Sequence, residues 1–123
     1  MPHFKKIINL TNKNFRPFRV KYCDDFISRL RGFTFRKDIH SDEGLILAEK
    51  RDSRMDTSIH MLFVWTDLAV FWVDSTMTVV DKALAASWHP YYASKVPAKY
   101  VIELAPSNMD FLQVGDKVEF NND

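Results

Sequence analysis

One cysteine, Cys23, stands in 123 residues, so no disulfide can close within the chain. That suits a reducing compartment. Cys23 follows the alternating run Arg19-Val20-Lys21-Tyr22 and has no histidine near it in sequence. It reads as a small buried hydrophobe rather than a nucleophile. Glycine is almost as scarce: Gly32, Gly44 and Gly115 are the full set. Turns must therefore draw on Asn, Asp, Ser and Pro, and no Gly-rich phosphate loop can be built. The four histidines, His3, His40, His60 and His89, show no H-x-H or H-E-x-x-H spacing, and a single cysteine cannot make a thiolate zinc site. No G-x-S-x-G elbow and no Cys–His dyad is present. Neither a metal nor a cofactor is expected, and no recognisable catalytic constellation argues for an enzyme.

Long apolar runs are lacking too. After Met1-Pro2-His3-Phe4-Lys5-Lys6 only Ile7, Ile8 and Leu10 follow, broken by Asn9, which is too short for the core of a secretion signal. Ser58–Val73 is shorter than the roughly 20 apolar residues of a span. Its central Asp67 would cost about 3 kcal/mol in lipid. The expectation is a soluble, cytoplasmic protein with no membrane partner.

What is present is enough apolar material for one domain over residues 1–123: 46% of the chain is hydrophobic. A chain of this length buries roughly two-thirds of its unfolded surface and needs no staple. The net charge of +1 hides an asymmetry. Residues 1–40 hold ten Lys/Arg against three acids, and residues 41–123 hold seven against thirteen. Such a split suits either an anionic partner or two mutually attracting faces of one domain.

Short β-strands dominate the pattern. Phe4–Leu10, the turn Thr11–Asn14 and Phe15–Tyr22 suggest an N-terminal hairpin, with Pro17 marking an edge or a bulge. Asp24-Asp25 can cap a short helix over Phe26–Arg31, stopped by Gly32. Gly44–Ala48 is an apolar strand, followed by a charged, exposed connection, Glu49–Asp56. Ser58–Val64 and Leu68–Asp74 read as two strands hinged at Trp65-Thr66-Asp67. Met77–Leu84, Tyr100–Leu104 and Lys117–Phe120 follow as strands. A long loop spans Ser87–Lys99, and a helical turn capped by Ser107 is expected in Pro106–Leu112. Seven to nine strands without β–α–β alternation predict a mainly β, antiparallel sandwich or barrel with one or two short helices.

Several segments, taken in order, resemble one family. They are Arg29-Leu30-Arg31-Gly32-Phe33-Thr34-Phe35-Arg36, Asp42-Glu43-Gly44-Leu45-Ile46-Leu47 and Ser58-Ile59-His60-Met61-Leu62-Phe63-Val64. Asp67, Asp74, Trp88 with Pro90, Ala98–Leu104 and Val114-Gly115-Asp116 complete the order. The set resembles the uncharacterised conserved ACR family of bacteria and archaea, domain of unknown function one hundred and ninety-two, from about Lys13 to Phe120. Many members carry a proline shortly before the central Asp, where this chain has Trp65-Thr66. The resemblance implies a sandwich-like β domain with short helices and no established activity.

Six residues are candidates for a site. On a strand, His60 would share a face with Leu62 and Val64, opposite Ile59, Met61 and Phe63. It is a general base or ligand on one reading and a hydrogen-bonded core histidine on the other. Asp67 is a turn residue capping backbone N–H groups, or an acid. Glu103 interrupts an apolar strand and wants a cation, with Arg36 and Arg31 as the expected partners. Trp88 and Tyr91, in Trp88-His89-Pro90-Tyr91-Tyr92, form a stacking platform or an inward-folded lid. Three functions follow. The first is a binding or structural module with a cleft near loop 87–98, taking a small polar ligand such as a sugar or a carboxylate. The second is a hydrolase-like enzyme using His60 with Asp67 or Glu103. The third is a nucleic-acid binder using residues 1–40, ranked last because the remainder is acidic. The oligomeric state is left open.

Overall fold

Strand β1 (His3–Asn9) and strand β2 (Phe18–Cys23) form the N-terminal hairpin, antiparallel, with Phe4 opposite Lys21 and Ile7 opposite Phe18. The structure is a computed structural model that describes residues 3–25, 29, 32–34, 36 and 38–122. Pro17 lies just ahead of β2, so its missing N–H removes no ladder bond. That is why β2 can be an interior strand, with β1 on one side and β3 (Gly44–Ser53) on the other, rather than the edge expected from Pro17. The β2–β3 pair is parallel, Lys21 opposite Leu45 and Cys23 opposite Leu47. Every other pair in the sheet is antiparallel.

The remaining strands are β4 (Leu68–Val73), β5 (Val79–Ala85), β6 (Ala98–Leu104) and β7 (Val118–Asn122), in the spatial order β5-β4-β6-β3-β2-β1-β7. The sheet curls until its two edges touch at one end. There the Val79 N–H donates to Asp116 O at 2.9 Å, Gly115 N–H to Val79 O at 2.8 Å and Val118 N–H to Met77 O at 2.9 Å. The result is a mainly β half-barrel. Its inside is filled by residues from all seven strands, among them Ile7, Val20, Ile46, Phe71, Val79, Ile102 and Val118, with Phe111 and Leu112. A second core on the opposite face packs Leu45, Leu47, Val70, Trp72 and Val101 beneath Phe33, Ile59, Met61 and Val64. Central strands covered on both faces read as continuous apolar runs, which is why all six residues of β4 are buried. Gly44 is required where β3 meets its neighbours. A Cβ there would lie 2.4 Å from Leu104 Cδ2 and 2.7 Å from Val20 Cγ1.

Three expectations are corrected. Strand β3 runs on through Glu49–Ser53 instead of ending at Ala48, with an irregularity between Ala48 and Ser53. Ser58–Val64 is not a strand. It is an irregular segment whose single bridge pairs Ile59 with Tyr92. Its run is broken by a turn, Val64 N–H to Met61 O at 3.2 Å, with Phe63 in the left-handed region at φ 61°. The helical turn after β6 is a short 3-10 helix, Pro106–Asn108, with Ala105 at its N-cap and no side-chain cap, so Ser107 does not serve there. The helix expected over Phe26–Arg31 lies outside the described residues except at Arg29, whose N–H donates to Asp25 O at 3.1 Å.

Candidate functional site

The site is built on β6. Tyr100, Ile102 and Leu104 face the inside of the curl, so alternation sends Val101 and Glu103 to the other face. Glu103 stands in register with Leu45 of β3 and Val70 of β4, two apolar neighbours that offer it nothing. It is only 5% exposed. Burial is the one influence on its titration among the described residues. Burial pushes its pKa up to about 7.

A cavity of about 290 Å³ opens over Glu103. Its apolar wall is Phe33, Leu47, Ile59, Val64 and Val101, and its polar rim is Arg29, Glu49, Asp56, Ser58 and His60. Gly32 forms part of the lining with φ +47°, and a Cβ there would sit 3.5 Å from Glu103 Oε1. Glycine supplies both the left-handed turn and the clear space beside the carboxyl. Arg29 is already committed. Its Nε pairs with Glu49 Oε2 at 2.9 Å, and its Nη1 donates to the carbonyls of Asp24 and Ala48. Burial raises the Glu49 pKa, and the Arg29 charge opposes that rise.

The outer wall is an irregular ladder between two loops. Ile59 and Tyr92 exchange both backbone bonds at 2.8 Å, Met61 N–H donates to His89 O at 2.9 Å, and Trp88 N–H donates to Met61 O at 2.8 Å. Trp72 Nε1 anchors the start of this wall by donating to Thr57 O at 2.8 Å.

The six candidates separate on this frame. His60 and Glu103 line the same cavity. His60 is exposed and is not a hydrogen-bonded core histidine. Arg36 does not reach Glu103. Its Nη2 donates to both oxygens of Glu43 at 2.8 and 2.9 Å. The His40 backbone N–H and the Arg36 guanidinium hold the Glu43 carboxyl below its ordinary range. Arg31, the other expected partner of Glu103, lies outside the described residues. Asp67 braces the loops, its Oδ1 accepting from Ser87 N–H at 2.9 Å, away from the cavity. Trp88 sits between Phe63 and Trp65, with ring centroids 4.9 and 4.8 Å away. Tyr91 is exposed on the same loop, and neither Trp88 nor Tyr91 lines the cavity.

Arg29, Glu49 and Asp56 were missed as site residues. The signal for Glu49 was present: it continues the two-residue alternation of Leu45 and Leu47, the face that also carries Glu103. Among the described residues no group of three His, Cys, Asp or Glu side chains is placed to hold a metal. No helix of the described residues is long and apolar enough to cross a membrane.

Comparison with known proteins gives relatives and a fold. A UPF0127 protein of Pyrococcus furiosus is 32% identical over 117 residues, covering 94% of this chain and 97% of the relative. One from Thermococcus sibiricus is 32% identical over 116 residues, covering 93% and 73%. A third, from Thermococcus kodakarensis, is 36% identical over 97 residues, and the match spans 60% of that relative's length. Two crystal structures share the fold at 18% identity. A putative transcription regulator from Sinorhizobium meliloti has a TM-score of 0.80, covering 98% of this chain and 94% of that one. A protein of unknown function from Novosphingobium aromaticivorans has a TM-score of 0.79, covering 96% and 84%. A sequence model of the family described as Uncharacterized ACR (DUF192) matches residues 7–120, the span that runs from β1 through the cavity to β7, and the chain belongs to that family.

Proposed function

We propose that this protein is a small-molecule binding module whose ligand enters the cavity above Glu103. The observation that carries this reading is an acid only 5% exposed that lines a cavity of about 290 Å³. Burial disfavours its ionised form, and a ligand donor in the cavity would offset that desolvation. Apolar walls with a few convergent polar groups and a displaced pKa are the ordinary make-up of a ligand site. The site therefore lies beneath the loop ladder and not on the aromatic face of loop 87–98. The lone Cys23 supports a cytoplasmic setting.

The test is a thermal-shift screen of small sugars, amines and acids, repeated on Glu103→Gln, His60→Ala and Trp88→Ala. Hits that lose their shift in Glu103→Gln and keep it in Trp88→Ala support the cavity. Hits that depend on Trp88 alone overturn it in favour of the aromatic face.

A second reading rests on His60 and Glu103 sharing one cavity: acid–base hydrolysis with Glu103 as proton donor. Asp67 takes no part in it. Turnover of chromogenic esters or glycosides no faster than that of Glu103→Gln removes this reading.

A further inference from the structure

The polar groups around the cavity narrow the class of ligand, on the reading that the cavity is a binding site. Glu49 and Asp56 reach it from β3 and the segment that follows, and Glu103 reaches it from the opposite strand. Two of these acids face described cations: the Arg29 guanidinium is turned to Glu49 and to two backbone carbonyls, and Arg51 Nε lies 3.9 Å from Asp56 Oδ2, which leaves Glu103 as the acid with no described cation beside it. His60 at the rim is the one further titratable group on the described lining. An anionic ligand would meet the like charge of the Glu103 carboxylate. A neutral hydroxyl could bond to Glu103 but would leave that charge uncompensated. A cation meets both needs, because bonds between ionised partners are about twice as strong as neutral ones.

Size and shape limit the rest of the ligand. A space of about 290 Å³ holds roughly ten water-sized volumes. The Glu103 carboxyl and the apolar side chains of Phe33, Leu47, Ile59, Val64 and Val101 line it together. A compact ammonium at the end of a short hydrocarbon body matches that lining, charge to carboxyl and body to wall. A guanidinium would need a second acceptor fork, and Glu49 is occupied by Arg29.

We propose that the cavity binds a small organic primary ammonium, its –NH3+ donating to the Glu103 carboxylate and its hydrocarbon body lying on the Phe33–Val101 wall. Binding then draws Glu103 into its ionised form. Because burial holds the empty site's carboxyl near a pKa of about 7, a ligand that stays cationic throughout should bind about tenfold more weakly at pH 6 than at pH 8. The His60→Gln variant separates the contribution of the rim imidazole from that of Glu103.

The experiment uses the full chain and three probes of one shape: benzylamine, benzyl alcohol and benzoate. Dissociation constants come from calorimetry, and the contact surface from amide chemical-shift mapping. Benzylamine is expected to bind at least about tenfold more tightly than either neutral or anionic probe and to shift amides of Gly32, Leu47, Ile59 and Val101. Glu103→Gln should lose that preference and flatten the pH profile, while His60→Gln should keep both. Equal or tighter binding of benzyl alcohol or benzoate at the same amides overturns the ammonium class and leaves the binding site standing. Shifts confined to the Phe63–Trp65–Trp88 cluster, or no binding by any probe, overturn the ammonium proposal; the first also moves the site itself.

Discussion

At the scale of single residues, Glu103 links the site to stability. An ordinary carboxyl titrates near 4.5, and burial lifts this one to about 7. Between those values the native protein binds more protons than the unfolded chain, so folding loses stability as pH rises, and the loss is complete just above pH 7. One pKa unit is worth about 1.4 kcal/mol, so Glu103 costs the native state on the order of 3 kcal/mol at pH 8. Glu103→Gln removes the titration and keeps the shape. Its unfolding free energy relative to the natural protein should rise by about 2–3 kcal/mol between pH 5 and pH 8. Parallel denaturant curves at both pH values check this, and a constant difference would mean that Glu103 has a partner. The residue was legible in sequence as an acid set in an apolar strand. Its surroundings were not: the pattern suggested Arg36, but Arg36 lies seven residues from Glu43 and chelates it. A local bidentate pair is easier to form than a long-range one because little chain must be ordered to close it.

At the scale of elements, legibility followed burial on two faces. Strands β4 and β6 stood out because both cores load on them. Segment 57–65 misled because Ile59 and Met61 mimic strand periodicity, yet their partners come from loop 87–92. That pairing depends on two bulky residues in left-handed conformations, Phe63 at φ 61° and Trp88 at φ 66°, which no local preference favours. The strain is held by ring contacts and by the Trp88–Met61 and Val64–Met61 backbone bonds. Trp88→Ala removes the ring contacts and keeps the strain, whereas Trp88→Gly removes both. Glycine normally destabilises a chain relative to alanine. Here Trp88→Gly should be more stable than Trp88→Ala by about 1 kcal/mol, and thermal midpoints of the two variants decide it. The reverse order would show that the loop relaxes out of the left-handed region when the ring is removed.

For the whole molecule, mainly β architecture was legible from short strands and missing β–α–β alternation. The parallel β2–β3 contact was not, because no β–α–β pattern marked it, and the pairing of β1 with β7 was not, because it joins the first strand to the last. That pairing sets the first and last strands side by side in one sheet. Asn9 sits at that seam, buried at the end of β1. Its Nδ2 donates to Phe111 O at 2.9 Å and to Asp116 Oδ2 at 3.1 Å, and its Oδ1 accepts from the N–H groups of Thr11 and Asn12. One side chain thus ties the turn after β1 to the loop before β7, next to the bonds that join β5 to β7. Asn9→Ala would strand several of these groups, at about 1–3 kcal/mol for each that stays buried. A loss of about 2–4 kcal/mol is expected. If the seam is integral to the sheet, the urea midpoint should fall while the slope of the transition stays unchanged, because the same surface is exposed in one step. A shallower slope or a split transition would show β1 and β7 opening on their own, leaving the inner strands β4, β6 and β3 to unfold as a separate unit.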